Sequence, residues 1–476
     1  MRVDRERLDR ALNPKTVVVV GDAKARNNRW LRSNKTVEAS GNLYSVQVDP
    51  NELPEIEALG VENFSSLAYV TGDIDYVLVA VPRNVAPLIM RHCIEREVAG
   101  AAFFTSGFAE TDTDEGRELQ ATLKTAAEES GLVVIGPNCM GLYNPAAGVR
   151  FGPSQPAGFD GPVSFVSQSG AHAMDFIMGA HDAGVRIGKA VSFGNGITLE
   201  NADYLEYFAG DPGTEYLTMY VEGLQDGRAF FEQLRKATRV KPVVLWKGGR
   251  SSDGSRATRS HTASLAGSTE VWNALCQQAG AIQADSLTDA LDILKTLTLV
   301  PPFTGTGIGV MGGSGGQSVS MTDAFGDHGL AVPELTEPSL VQLGEWFSLV
   351  GASFRNPIDM GTNRTELEQI LGILDQDENI DVISMQLRPR PKDDPEREQL
   401  DEPVAALAAA NARSSKPHIV LLHSPTPMAH GEAMHELDQE LQALGIAAYP
   451  SYDRAARALA KVSAYYRWRA EVDAEE

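Results

Sequence analysis

The chain has 476 residues, 43% of them hydrophobic, too many for one ordinary core and enough for two to four domains. Lys and Arg number 41 against 64 Asp and Glu, a formal charge of −23, which argues against broad nucleic-acid binding or adsorption to anionic membranes. Three scattered cysteines without a C-x-x-C pair argue against a disulfide framework or structural zinc and fit a reducing compartment.

Residues 1–14 are charged and amphipathic, with no apolar signal core, and no run of about eighteen apolar residues follows. A cytoplasmic location is expected. Apolar strands are predicted at 16–21, 43–48, 76–81, 100–105 and 132–135, with helical patterns such as 85–96 and 113–130 between them. Short apolar strands alternating with helices predict an α/β fold with a parallel, doubly wound sheet. The turn at Gly21 resembles a nucleotide-binding turn, although the full G-x-G-x-x-G is missing, and Asp49 ends strand two where a ribose-binding acid is expected. The fold expected of this part is Rossmann-like.

A second unit is predicted at 161–299, with strands at 163–167, 190–192, 217–221 and 242–246. Its first strand runs into Ser167, Gln168, Ser169 and Gly170, then a helical pattern. A Ser/Gly turn at a helix N-terminus offers unpaired N–H groups and the positive end of the helix dipole, a place for phosphate. Ser169 and the amides of Gly170 and Ala171 are the candidate donors; an ordinary serine N-cap is the alternative. His172 follows just inside the helix.

After the strand at 243–246 comes K-G-G-R-S-S-D-G-S-R-A-T-R-S-H-T-A-S-L-A-G-S, which sets His261 among small residues with Arg250, Arg256 and Arg259. A neutral imidazole is nucleophilic and can accept a phosphoryl group. A surface loop whose histidine has no role is the alternative. Pro301 and Pro302 suggest a linker to a third unit with strands at 308–311, 382–386 and 419–423, the first followed by G-G-S-G-G at 312–316, a candidate phosphate nest. Residues 388–403, dense in charge and proline, are expected to form an exposed loop. No metal-ligand spacing emerges among the histidines, and no protein-ligated metal is expected.

Six segments in order carry a resemblance: G-P-N-C-M-G at 136–141, S-Q-S-G at 167–170, Y-V-E-G at 220–223, S-H-T-A-S-L-A-G-S at 260–268, N-P-I-D at 356–359 and D-R-A-A-R-A-L at 453–459. From about residue 10 to 468 the chain resembles the NDP-forming acyl-CoA synthetase superfamily, which includes ADP-forming acetate–CoA ligases and the α subunit of succinyl-CoA synthetase. The resemblance implies a CoA-binding Rossmann-like domain at 1–150. It further implies a flavodoxin-like ligase domain with the phosphohistidine loop at 155–300 and a second ligase-like flavodoxin-type domain at 303–470.

It also implies chemistry. Acyl-CoA and inorganic phosphate give an acyl phosphate and free CoA. His261 takes the phosphoryl group and passes it to ADP or GDP. Glu222 matches the glutamate that hydrogen-bonds the histidine, and a carboxylate on one ring nitrogen makes the other more nucleophilic. Ser167, Gln168, Ser169, Gly170 and Ala171 correspond to the phosphate turn. CoA contacts are implied for Gly21, Lys24, Val48, Asp49, Pro50, Val81, Pro82, Ser106, Gly107, Phe108, Asn138 and Cys139, the last more a packing residue than a catalyst.

Two departures stand out. The family's G-A-S with its lysine and glycine is here Gly21, Asp22, Ala23, Lys24, Ala25 and Arg26, with Lys24, Arg26 or Arg29 as candidate substitutes. The N-P after strand two is Asp49 and Pro50. No segment remains for the family's ATP-grasp domain, so a β subunit is expected to hold ADP/ATP with Mg²⁺, the assembly being a hetero-oligomer or a homodimer. The substrates expected are a small carboxylic acid and its acyl-CoA, with neither nucleic acid nor membrane as partner. Gly248, Gly249 and Gly267 are candidate hinges for the histidine segment. A CoA-binding acyltransferase and a non-catalytic CoA sensor of the same fold are the alternatives.

Overall fold

The computed structural model describes residues 3–158, 160–251, 253, 254, 256, 268–361, 363–391 and 393–475. The chain divides into two compact units, Met1–Ala290 and Leu291–Glu476. The described strands form three sheets, two in the first unit and one in the second.

The first sheet contains β1 (Thr16–Val20), β2 (Asn42–Val46), β3 (Glu62–Phe64), β4 (Tyr76–Val79), β5 (Gly100–Phe103) and β6 (Val133–Ile135), in the order β3-β2-β1-β4-β5-β6. Every pairing is parallel. All five residues of β1 are buried, because helices cover both faces of such a sheet; that is why its sequence is an unbroken apolar run. The strand order reverses between β1 and β4, whose C-terminal ends therefore part into a crevice.

The second sheet contains β7 (Gly141–Tyr143), β8 (Val163–Ser167), β9 (Ile187–Ser192), β10 (Tyr216–Val221), β11 (Val243–Lys247) and β12 (Ile282–Ala284), in the order β12-β11-β10-β8-β9-β7. It is parallel except for β7, which pairs antiparallel with β9. The chain thus leaves the first sheet through Gly136–Met140 and enters the second as its edge.

The second unit carries β13 (Ile308–Met311), β14 (Val382–Leu387), β15 (His418–Leu422) and β16 (Ala447–Tyr449), parallel and in that spatial order. Asn356 of N-P-I-D braces it: its side chain accepts from Val310 N at 2.8 Å and donates to the carbonyls of Ile308 (2.8 Å) and Pro333 (2.9 Å). In the closing motif, Arg454 makes two 2.7 Å bonds to the carboxylate of Asp292.

Two local differences from expectation have simple causes. β3, β7, β12 and β16, absent from the expected strands, are three-residue pieces at sheet edges, too short for a buried-strand pattern. Residues 388–403 are not simply an exposed loop. Arg397–Leu400 forms a 3-10 turn leading into the helix Asp401–Arg413, and Leu400 is buried. Charges there are paired, Arg390 with nearby Glu396 at 2.6 Å and Arg397 with distant Glu440 at 2.7 Å.

Candidate active site

Two candidate sites lie in the first unit. One is a cleft of about 430 Å³ at the reversal point of the first sheet, lined by the turns after β1, β4 and β5: Gly21 to Ala23, Ala25, Arg26, Ala80 to Arg83, and Phe104 to Ser106. Gly21 has φ +80°, and a Cβ there would meet Val81 Cγ1 at 2.5 Å, so only glycine lets the β1 and β4 turns lie together. Asp22 is buried and pins the turn. Its carboxylate accepts from Leu31 N (2.8 Å) and Ala23 N (3.1 Å), while burial, the largest influence, holds its pKa above the ordinary value.

The turn continues as a single 3-10 turn, Lys24–Arg26, which carries Arg26 to 5.6 Å above the Phe104 ring at the cleft wall. Arg83 stands on the β4 side, its guanidinium donating to Gly107 O (2.9 Å) and Glu115 (2.7 Å). Of the three cations that sequence offered as substitutes, Arg26 lines the cleft. Lys24 turns to Asn51 O (3.3 Å), and Arg29 holds Phe151 O (3.1 Å). Arg83 is not among the sequence candidates; its one signal is a cation directly after Pro82, in the turn that follows β4.

The other expected CoA contacts divide. Val81, Pro82 and Ser106 line the cleft. Val48, Asp49 and Pro50 are exposed beyond it, Asp49 accepting from Asn51 N at 2.9 Å and Asn51 Nδ2 at 2.8 Å. Gly107 and Phe108 donate their N–H groups to Glu110, at 2.6 and 3.1 Å, and the Phe108 ring is in the core. Glu110 also accepts from Asn195 at 2.6 Å, tying this loop to the second sheet. Asn138 donates its N–H to Thr105 O (3.0 Å). Cys139 is buried, its thiol against the carbonyls of Ile135 and Phe103, and burial pushes its pKa up to about 12. That is a packing cysteine, not a nucleophile.

The second site lies along the C-terminal ends of β8, β10 and β11. Ser167 is wholly buried; its hydroxyl donates to Ser169 O (2.7 Å) and accepts from Ser169 N (3.0 Å), so it shapes the turn from within. Ser169 caps the helix Gly170–Asp182, accepting from His172 N at 3.3 Å. The Gly170 and Ala171 N–H groups precede the first intrahelical acceptor and carry the positive end of the helix dipole.

Gln168 turns to the neighbouring strand, its side-chain oxygen accepting from Glu222 N (2.6 Å) and Gly223 N (3.1 Å). Glu222 is buried. Lys247, unremarked in the sequence, donates its ammonium to Glu222 O (2.7 Å) and to Gly248 O, and burial lowers its pKa against the raising influence of Glu222. Tyr220 hydrogen-bonds the Glu222 carboxylate, and burial first, then that charge, holds the phenol well above its ordinary pKa.

His172 packs against Tyr220 (4.5 Å between ring centroids) and Trp246 (4.6 Å), which also touch each other, and burial lowers its pKa, so it belongs to an aromatic cluster. A Cβ on Gly248 would meet Tyr220 Oη at 2.5 Å. Arg250 pairs with Asp285, and Arg256 with Asp253 at 2.8 Å. His261, Arg259 and Gly267 lie outside the described residues. The chain is described again from Ser268, the N-cap of the helix Thr269–Ala279. Among the described residues, no group of three or more His, Cys, Asp or Glu is placed to hold a metal ion, and no helix is long and apolar enough to cross a membrane.

Comparison with known proteins places this geometry. Residues 15–145 match the CoA binding domain family, and residues 160–297 match the succinyl-CoA ligase like flavodoxin domain. Acetate–CoA ligase (ADP-forming) II subunit alpha of Pyrococcus furiosus is 31% identical over 386 residues, 79% of this chain and 81% of that protein. Subunit alpha of enzyme I from the same organism is 29% identical, covering 97% of this chain and 98% of that one. Acetate–CoA ligase (ADP-forming) I of Archaeoglobus fulgidus is 30% identical over 96% of this chain, which spans 64% of that protein's length. Among solved structures, the dinucleotide forming acetyl-coenzyme A synthetase 1 of Ca. Korarchaeum cryptofilum, in complex with phosphate and ADP, superposes with a TM-score of 0.85 at 28% identity, covering 100% of this chain and 99% of that one.

Proposed function

This chain belongs to the ADP-forming acetate–CoA ligase family, and we propose on that footing that it is the phosphohistidine-forming α-type chain of an acid–thiol ligase. The reaction interconverts acyl-CoA, phosphate and ADP with carboxylic acid, CoA and ATP. An oxygen of inorganic phosphate bonds to the thioester carbonyl carbon as the C–S bond breaks, releasing CoA thiolate. An imidazole nitrogen of His261 then bonds to phosphorus as the P–O bond to the carboxylate breaks. ADP finally takes the phosphoryl group from the nitrogen.

Each described element has a part in that sequence. The cleft at the β1, β4 and β5 turns receives CoA, with its amides and two arginines facing the anionic portion. The Gly170 and Ala171 N–H groups hold phosphate and stabilise the charge that builds on it. Glu222 orients the imidazole and supports the cation that forms on phosphorylation. The bridge from Gln168 to Glu222 supports this reading, because it ties the Ser167–Gly170 turn to the backbone that carries Glu222 at the end of β10. ADP or ATP with Mg²⁺ is held by an ATP-grasp partner, which fits the subunit naming of the Pyrococcus relatives and the greater length of the Archaeoglobus protein.

Phosphate-dependent release of free CoA thiol from a panel of acyl-CoAs tests the proposal. One equivalent per chain in the absence of ADP supports it. Release that ignores phosphate indicates a hydrolase or an acyltransferase, and none with any thioester indicates a CoA sensor.

A further inference from the structure

We infer that the cleft grips CoA by its diphosphate and makes no use of the phosphate on the adenosine ribose, so that dephospho-CoA binds as well as CoA. This rests on the CoA reading above. In a doubly wound sheet of this order the ligand crosses the C-terminal ends of the strands at the reversal point, its diphosphate over the first turn and its ribose at the end of the second strand. The two ends carry opposite charge.

At the β1 and β4 turns two cations, Arg26 and Arg83, line the cleft, beside the one buried carboxylate of Asp22. The Arg26 guanidinium stands over the Phe104 ring at the wall and feels the charge of the Asp22 carboxylate, with no hydrogen bond among the described residues. Its planar fork suits the paired oxygens of a diphosphate. Arg83 lines the same cleft, kept in place by Gly107 O and by a carboxylate, Glu115, whose side chain is 69% exposed and so well screened by water.

At the end of β2 the charge reverses. Asp49 is exposed there and accepts from Asn51 at 2.8 and 2.9 Å. Glu52 accepts from Lys24 N at 2.6 Å, and Glu55 from Asn28 Nδ2 at 3.0 Å. Against these three carboxylates stands the Lys24 ammonium, at 3.3 Å from Asn51 O. A ribose hydroxyl can donate to such an acid, whereas a phosphate there, close to dianionic at neutral pH, meets like charge.

Calorimetric titration of the full chain with CoA, dephospho-CoA and 4′-phosphopantetheine tests this, using wild type, Arg26→Gln and Asp49→Lys. The inference predicts that wild type binds CoA and dephospho-CoA within about threefold of each other. Loss of a charged hydrogen-bonded contact to phosphate costs roughly tenfold or more, so Arg26→Gln should weaken both ligands equally and leave 4′-phosphopantetheine less affected. Asp49→Lys should create a preference for CoA over dephospho-CoA. Tenfold or stronger wild-type selectivity for CoA over dephospho-CoA overturns the inference, as does an Arg26→Gln loss confined to CoA. If neither nucleotide binds, the CoA reading itself falls, an outcome distinct from a lost selectivity.

Discussion

Gln168 and Glu222 are joined across adjacent strands: the glutamine side-chain oxygen accepts the Glu222 backbone N–H at 2.6 Å and that of Gly223 at 3.1 Å. The residue that sequence assigned to the phosphate turn therefore also sets the height of the carboxylate beside it. Replacing Gln168 with Leu leaves two N–H groups without their acceptor, at about 1–3 kcal/mol each where water cannot reach. Gln168→Leu should cut phosphorylation of the chain by roughly 10–100-fold, the usual cost of losing an orienting partner, while CoA affinity measured by titration stays within twofold to threefold.

Glu222→Gln separates charge from shape. The amide keeps the volume and loses the negative charge that stabilises an imidazolium or its phosphorylated form. The expected loss of phosphorylation rate is about 10–100-fold, with thermal stability close to wild type. A rapid-quench time course of acid-labile phosphate distinguishes this from a folding defect.

Gly21→Ala addresses the cleft. The added methyl meets Val81 at 2.5 Å on a backbone with φ +80°, so both the steric and the conformational cost fall on the β1 turn. A loss of roughly 1–3 kcal/mol in stability is expected, together with at least tenfold weaker CoA binding. Gly72→Ala serves as the control: that exposed glycine has φ +75° and nothing within 4 Å of an added Cβ, so the substitution carries the conformational cost alone.

Titration of the aromatic cluster gives a pH prediction. His172 and His418 are both held below the ordinary histidine pKa, chiefly by burial. A folded-state pKa below the unfolded one contributes stability that is present above the unfolded pKa, near 6.5, and is lost as pH falls through the folded value. The melting temperature should therefore decline below about pH 6.5, and His172→Phe should make that decline shallower without changing the neutral-pH value much.

Cys139 provides a negative test. With its thiol buried and its pKa near 12, it should resist alkylation at pH 8 in the folded chain. Cys139→Ala should phosphorylate at a rate within about threefold of wild type while losing roughly 1–2 kcal/mol of stability from the packing defect. A large rate loss without unfolding would give the thiol a chemical role.

Much of the fold was legible because its central strands are buried on both faces and leave unbroken apolar runs, as in β1 and β8. The Gly21 turn stood out in the sequence as resembling a nucleotide-binding turn, and it lines the cleft at the reversal point. The short edge strands β3, β7, β12 and β16 were not legible, because three residues at a sheet margin carry no period. The candidate sites were legible only as residue types. Sequence named Ser167 and Gln168 as phosphate ligands, yet one hydroxyl shapes its own turn and the other side chain reaches β10. Arg83 and Lys247 gave no motif, since their roles come from which turns the sheet brings together. N-P-I-D and D-R-A-A-R-A-L stood out as family marks, and both are braces: Asn356 holds the edge of β13, and Arg454 clasps Asp292.

The most direct test of the account is intact mass of the purified chain, wild type and His261→Ala, after incubation with inorganic phosphate and a panel of acyl-CoAs. The account predicts an acid-labile phosphoryl adduct on wild type with at least one thioester and none on the variant. An adduct that persists in His261→Ala, or none on a wild-type chain that binds CoA, would contradict it.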